Sequence, residues 1–131
     1  DVDDKWLPNK LEVQSEHMVN YDVIGTQCKY FGNLNGVPYI PLGDITNSDF
    51  TICNPIINSS CLVKRELCYW DAVWDGVEDY AMWLKLWKCG YKFYNVCDIH
   101  VLHRIHNGSA FNAKGNNLQV GKLLDTVTNW G

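Results

Sequence analysis

Hydrophobic positions recur along this chain at two different periods, and the changes between them mark its elements. The strongest helical signal is VEDYAMWLKLWKCG, residues 77–90, where Tyr80, Trp83, Leu84 and Trp87 recur every three or four residues. Lys85 and Lys88 fall off that stripe, and Gly90 supplies a C-terminal stop. YKFYNVCDIHVLHRIH, residues 91–106, is instead rich in aromatic and β-branched residues and predicts one or two strands. YDVIGTQ, residues 21–27, predicts a buried strand ended by polar residues. INSSCLVKRE predicts a short strand from Ser60 to Lys64, leading into a helical turn through Arg65 to Tyr69. Nearer the start, Pro8 suits a first helical turn, and Leu7, Leu11, Met18 and Val19 form a partial apolar stripe to about Asn20. Between 29 and 49, Gly32, Gly36, Pro38, Pro41 and Gly43 punctuate a long loop. A modest amphipathic helix is predicted from Asn117 to Trp130. The order helix, strand, loop, strand, helix, strand, helix predicts an α/β fold, a mixed sheet flanked by helices.

Length and composition narrow the picture. At 131 residues, 47% of them hydrophobic and 20% charged, the chain predicts one globular domain or part of one. Eleven basic and 15 acidic residues leave a net charge of −4 with no basic block, which disfavours nucleic acid as a partner. Six cysteines, at 28, 53, 61, 68, 89 and 97, form no CxxC pair; they predict mostly reduced, buried thiols in a cytosolic-type compartment. The sequons at Asn58 and Asn107 matter only in a secreted protein. No signal peptide and no apolar run of membrane-spanning length is present, so the expectation is a cytoplasmic protein, free or peripheral to a membrane. The first residue is Asp rather than Met, which predicts a processed product, an engineered chain or a fragment.

Three groups of residues carry candidate chemistry. Asp1, Asp3 and Asp4 are hard oxygen donors of the type that suits Mg²⁺, Mn²⁺ or Ca²⁺. In an extended segment Asp1 and Asp3 share a side, whereas Asp4 serves equally well as a helix cap or a ligand. An EF-hand is excluded, since Trp6 stands where that loop needs Gly. Glu78 and Asp79 open the strongest helix, either as complements to its dipole or, for a carboxylate beside a loop, as a general base. Cys97, His100, His103 and His106 recur every third residue, but a strand would put Cys97 and His103 on one side and His100 and His106 on the other. That argues against zinc and for one or two of these histidines facing a site.

Four stretches together resemble a known family. DVDDKWLPNKLEVQ is similar to the DxDD-x-W-x-P-x-KL-x-x-Q stretch of family 2 glycosyltransferases with the GT-A fold. NPIINSSCLVKREL resembles their acceptor-side strand and turn, and WDGVEDYAMWLKLWKCGYKF their G-x-ED helix. HRIHNGSAFN resembles the R-x-H-x-x-S-x-S segment that follows. The resemblance implies a partial GT-A fold, residues 1–131 being the metal- and acceptor-side half, without the Rossmann-like nucleotide-binding half and inactive by itself. It implies transfer of a sugar, with inversion, from a nucleotide-diphosphate sugar to the hydroxyl of a glycan or other acceptor. Asp1 and Asp3 would hold Mn²⁺ or Mg²⁺ against the diphosphate, with Asp4 a near neighbour in the metal set and His106 a metal or diphosphate contact. Asp79 would be the general base, and Glu78 would position it or contact the acceptor. Two positions depart from the pattern: Lys85 replaces the usual Arg, and Phe111 or Asn112 the second Ser. Trp70 and Trp74 could form an aromatic platform for a sugar, or pack in the core. The stretch from Gly32 to Gly43 reads as a lid over the donor or as a surface loop. Two other readings remain: a non-catalytic carbohydrate-binding or interaction module, and a Ca²⁺-binding domain.

Overall fold

The computed structural model describes residues 4–32, 35–68, 71–74, 76–105 and 115–129. Its architecture is α/β. A five-stranded mixed sheet is built around β2 (Val23–Gly32) and β5 (Phe93–Ile105), with β1 (Lys5–Trp6), β3 (Gly43–Asp44) and β4 (Leu62–Val63) as short partners. β2 and β5 run parallel, from Val23 opposite Phe93 to Gly32 opposite Ile105. A parallel pair needs a crossover connection, and here it contains α2 (Glu78–Lys88). The far edge of β5 takes β3 at Tyr94 and Asn95 and β1 at Val101 and Leu102, both antiparallel. β4 lies antiparallel on β2, at Val23 and Ile24.

The core forms where α2 lies on this sheet. Tyr80, Ala81, Met82, Trp83, Leu84 and Leu86 are buried with Val23, Ile45, Phe50 and Phe93, and with Leu123 and Val127 of α3 (Gly115–Thr128). Phe50 links the layers, stacked on Trp87 at 5.2 Å and edge-on to Phe93 at 4.7 Å. Glu78 and Asp79 occupy the first turn of α2 and Lys85 and Lys88 the last, as the helix dipole favours. Gly90 ends it at φ 89°, where the Tyr91 N–H turns back to the Leu86 carbonyl at 3.2 Å.

Four expectations are corrected. The first helix is not a long amphipathic one: α1 spans only Lys10–Ser15, Asn9 precedes it at φ 73°, and residues 16–20 form turns. Leu11 is 49% and Val19 87% exposed, while the buried face carries Lys10 and Gln14. Hydrogen bonds from Gln14 to the layers beneath, described below, orient this helix in place of an apolar stripe. The simple alternation in β5 also fails. Thr26 pairs with Val96, Gln27 with Ile99 and Cys28 with Val101, so β5 holds extra residues at Cys97, Asp98 and His100. Cys97 is exposed, His100 and Val101 are both buried, and His103 is half-buried. The thiols are free, but only Cys28 is buried; Cys53, Cys68, Cys89 and Cys97 are exposed in turns, at a helix end and in the bulge. Finally, the loop expected over 29–49 begins later, because β2 runs on to Gly32, and β3 interrupts it; between them Gly36 accepts from the Tyr30 N–H at 2.8 Å, Pro38 from Gln27 at 3.1 Å and Pro41 from Asn95 at 2.9 Å. Among the described residues no helix is long and apolar enough to cross a membrane.

Candidate functional site

An open cleft of about 390 Å³ is lined by Asp4, Trp6, Asn58, Ser59 and Cys61. Ligand pockets run from roughly 300 to 1,000 Å³, and this cleft, open to solvent, lies at the low end of that range. One wall is β1 and the residue before it. Alternate residues of an extended segment share a side, which brings Asp4 and Trp6 together. The other wall is Asn58, Ser59 and Cys61, the end of a segment that runs from Asn54.

That segment is held firmly. The Ser60 hydroxyl donates to the Ile57 carbonyl at 2.7 Å and accepts from the Thr26 N–H at 3.1 Å. Gln14 donates from its amide nitrogen to the Ser60 carbonyl at 2.8 Å and to the Ile24 carbonyl at 2.7 Å, tying α1, β2 and the segment together. Beneath the segment, Asn95 donates to the Pro55 carbonyl at 2.8 Å. A Cβ on Gly25 would lie 2.2 Å from the Asn95 side-chain oxygen, so glycine is what lets this amide in.

Asp4 does not cap α1, since Asn9 holds the N-cap position. Its carboxylate is buried, with a side chain 2% exposed, and Oδ1 accepts a hydrogen bond from His103 Nδ1 at 2.6 Å. Oδ2 has no hydrogen-bond partner among the described residues. A buried carboxylate oxygen without a partner is costly, and a cation or a hydroxyl donor would relieve that cost.

Asp79 approaches the same segment from the N-terminus of α2. Asn54 donates from Nδ2 to Asp79 Oδ2 at 3.1 Å. Burial raises the Asp79 carboxyl above the usual carboxylate range; the Tyr80 N–H and the Asn54 amide oppose the shift, and the charge of Glu78 adds to it. Glu78 itself faces its own loop, accepting from the Gly76 N–H at 3.1 Å. Cys61, in the wall of the cleft, senses the charges of both Lys10 and Asp79. Burial pushes its thiol up to about 12, against the opposing charge of Lys10 and with a further push from Asp79. That shift favours the neutral thiol over the thiolate, the form a nucleophile needs.

The structure thus brings Asp4 and Asp79, from distant parts of the chain, to one short segment, while Glu78 braces the loop beside it. Asp1, Asp3 and His106 lie outside the described residues, as does Trp70. Trp74 packs against the core rather than forming a platform. Among the described residues no three His, Cys, Asp or Glu side chains converge as a metal-ligand set. Sequence reasoning missed Asn54, Asn58, Ser59 and the partnership of His103 with Asp4. It also passed over Lys10 and Gln14, whose four-residue spacing was the available sign of a shared helix face. Compared with known proteins, the chain matches no protein-family model and no curated sequence.

Proposed function

We propose that this chain is the metal- and acceptor-side part of a GT-A glycosyltransferase resembling family 2. It would move a sugar, with inversion, from a nucleotide-diphosphate donor to the hydroxyl of a glycan or other acceptor, in the cytoplasm or at a membrane periphery. The observation that supports this reading is the buried Asp4 carboxylate in a cleft walled by Asn58, Ser59 and Cys61, with Asp79 bonded to Asn54 a few residues before that wall.

The residues fit a divalent cation in one respect: Asp4 Oδ2 is a buried, unpartnered oxygen donor among the described residues. With Asp1, Asp3 and His106, assigned by resemblance, it would hold Mn²⁺ or Mg²⁺. When bound, such an ion supplies positive charge to the departing diphosphate. Every other role falls to the chain. His103 fixes the Asp4 carboxylate through Oδ1. Asp79, its proton affinity raised by burial, takes the proton from the acceptor hydroxyl, and Asn54 holds the carboxylate in one orientation. Glu78 keeps the loop before α2 in place through Gly76.

The test is calorimetry of the complete protein with UDP, with and without Mn²⁺, for the wild type, Asp3→Ala and Asp4→Ala. Binding that needs the metal and weakens in both variants is the expected result. Metal-independent binding, or none with any nucleotide tried, sinks the reading. Asp79→Asn should lower transfer by roughly 10²–10⁴-fold while sparing UDP binding.

A further inference from the structure

Trp6 is exposed over 56% of its surface, yet it is one of the more firmly placed side chains in the cleft. Its indole N–H donates to the Ser59 carbonyl at 2.9 Å, which fixes one edge of the ring. The Lys10 ammonium sits 3.9 Å from the ring centroid, which fixes one face. Lys10 is itself 2% exposed and donates to Gln14 Oε1 at 2.8 Å; Gln14 in turn is bonded to β2 and to Ser60. The backbone is held as well, with Trp6 opposite Val101 and the next N–H, of Leu7, donating to the His100 carbonyl at 2.9 Å. Lys10 stands over one face, and 56% of the Trp6 surface remains exposed with it in place. An open aromatic face fixed in advance loses little conformational freedom when it binds something.

We infer that the open face of Trp6 is a stacking platform for the apolar C–H face of a pyranose ring, in the cleft it shares with Asp4, Asn58 and Ser59. The inference deepens the glycosyltransferase reading and rests on it for the identity of the ligand. Three features select this chemistry. The ammonium under the ring draws its electron density away from the open face, which disfavours a cationic ligand there. The surroundings are polar: a carboxylate with one oxygen unpartnered among the described residues, an amide and a hydroxyl line the cleft beside the indole. A pyranose matches that division, with one C–H face and a rim of hydroxyls that donate to carboxylate and amide oxygens. The ring's source is the donor sugar or the acceptor sugar, and displacement distinguishes them.

The experiment is saturation-transfer NMR on the complete protein. The probes are methyl β-D-glucopyranoside, methyl β-D-galactopyranoside, methyl α-D-mannopyranoside and methyl N-acetyl-β-D-glucosaminide, each with UDP and Mn²⁺. The wild type should saturate the ring C–H protons of at least one. Trp6→Phe should hold that glycoside nearly as well, whereas Trp6→Ala and Trp6→Leu should weaken it about tenfold, the size of one aromatic stacking contact. Trp6→Leu keeps an apolar side chain over Lys10, so it serves if Trp6→Ala fails to fold. Saturation of no glycoside, equal binding in Trp6→Leu and the wild type, or displacement of the glycoside by uridine would each overturn the platform. If UDP still binds with Mn²⁺ in those cases, the transferase reading survives without it. Glycoside binding that depends on Trp6 while no nucleotide binds would keep the platform and remove the transferase. Displacement by UDP-glucose, UDP-galactose, UDP-N-acetylglucosamine or GDP-mannose beyond that by UDP alone assigns the ring to the donor; its absence assigns it to the acceptor.

Discussion

Two regions of this molecule are held together by opposite means. Under α2 the sheet meets a continuous apolar layer, with Trp83, Leu84, Phe93, Phe50 and Leu123 buried against one another. Under α1 the buried side chains are Lys10 and Gln14, and what joins helix, sheet and the Asn54–Cys61 segment is a set of directed hydrogen bonds. Apolar burial is non-directional and tolerates small shifts, so the first region builds a stable frame. Directed bonds fix side chains at stated positions, and the candidate site grows from the second region. Stability and placement are divided between the two.

The comparison can be broken from either side. Trp83→Ala empties the centre of the apolar layer and should destabilise the protein by about 3–5 kcal/mol in urea unfolding. A loss near that of a surface change would mean the frame lies elsewhere. Gln14→Leu leaves the Lys10 ammonium and the Ile24 and Ser60 carbonyls without this amide, at roughly 1–3 kcal/mol for each group left unsatisfied. Adding Lys10→Met to that variant should recover part of the loss, because it removes the stranded charge. Strict additivity of the two changes would show that they do not form one network.

Smaller effects sharpen the picture through pH. Folding raises the proton affinity of Asp79, so its ionised form is disfavoured in the folded state. The wild type is therefore relatively more stable below the unfolded aspartate value of about 3.9 and loses that advantage as pH rises through the folded value. Asp79→Asn should raise the melting temperature at pH 7, with the gain vanishing below about pH 4. A fall in melting temperature at pH 7 would count against a strained carboxylate. Asp22 runs the other way. Burial works to raise it, but the Lys64 ammonium at 2.8 Å and the Lys92 N–H outweigh burial and hold it below the usual range. Its contribution is present above about pH 3.9 and is lost as pH falls through the depressed value. The pair is partly exposed, so Asp22→Asn should cost less than about 1 kcal/mol at pH 7 and nearly nothing in strong acid.

The regions also differ in how legible they were. Tyr80, Trp83, Leu84 and Trp87 announced α2 and its buried face, because apolar spacing at 3.6 residues is itself the cause of that packing. β5 was equally plain as an extended element, and its 13 residues form one strand. The α1 stripe misled because Leu11 and Val19 stay exposed while Gln14 turns inward to carbonyls supplied by β2 and Ser60. The expected alternation of Cys97 and the histidines failed for a related reason: a bulge depends on the register of a partner strand, which the residues of β5 do not record.

The amino-acid sequence by itself determined the α/β class, the positions of α2, α3 and β5, the first half of β2, and the acidic residues from which a site could be built. Period and side-chain chemistry are local properties, readable one segment at a time. Only the tertiary structure decided that Asp4 faces His103 rather than a helix end, that Asp79 meets Asn54, and that Lys10 lies over the Trp6 ring while Trp6 stays exposed. Each of those contacts depends on distances between segments far apart in the chain, and the packing of the sheet sets those distances.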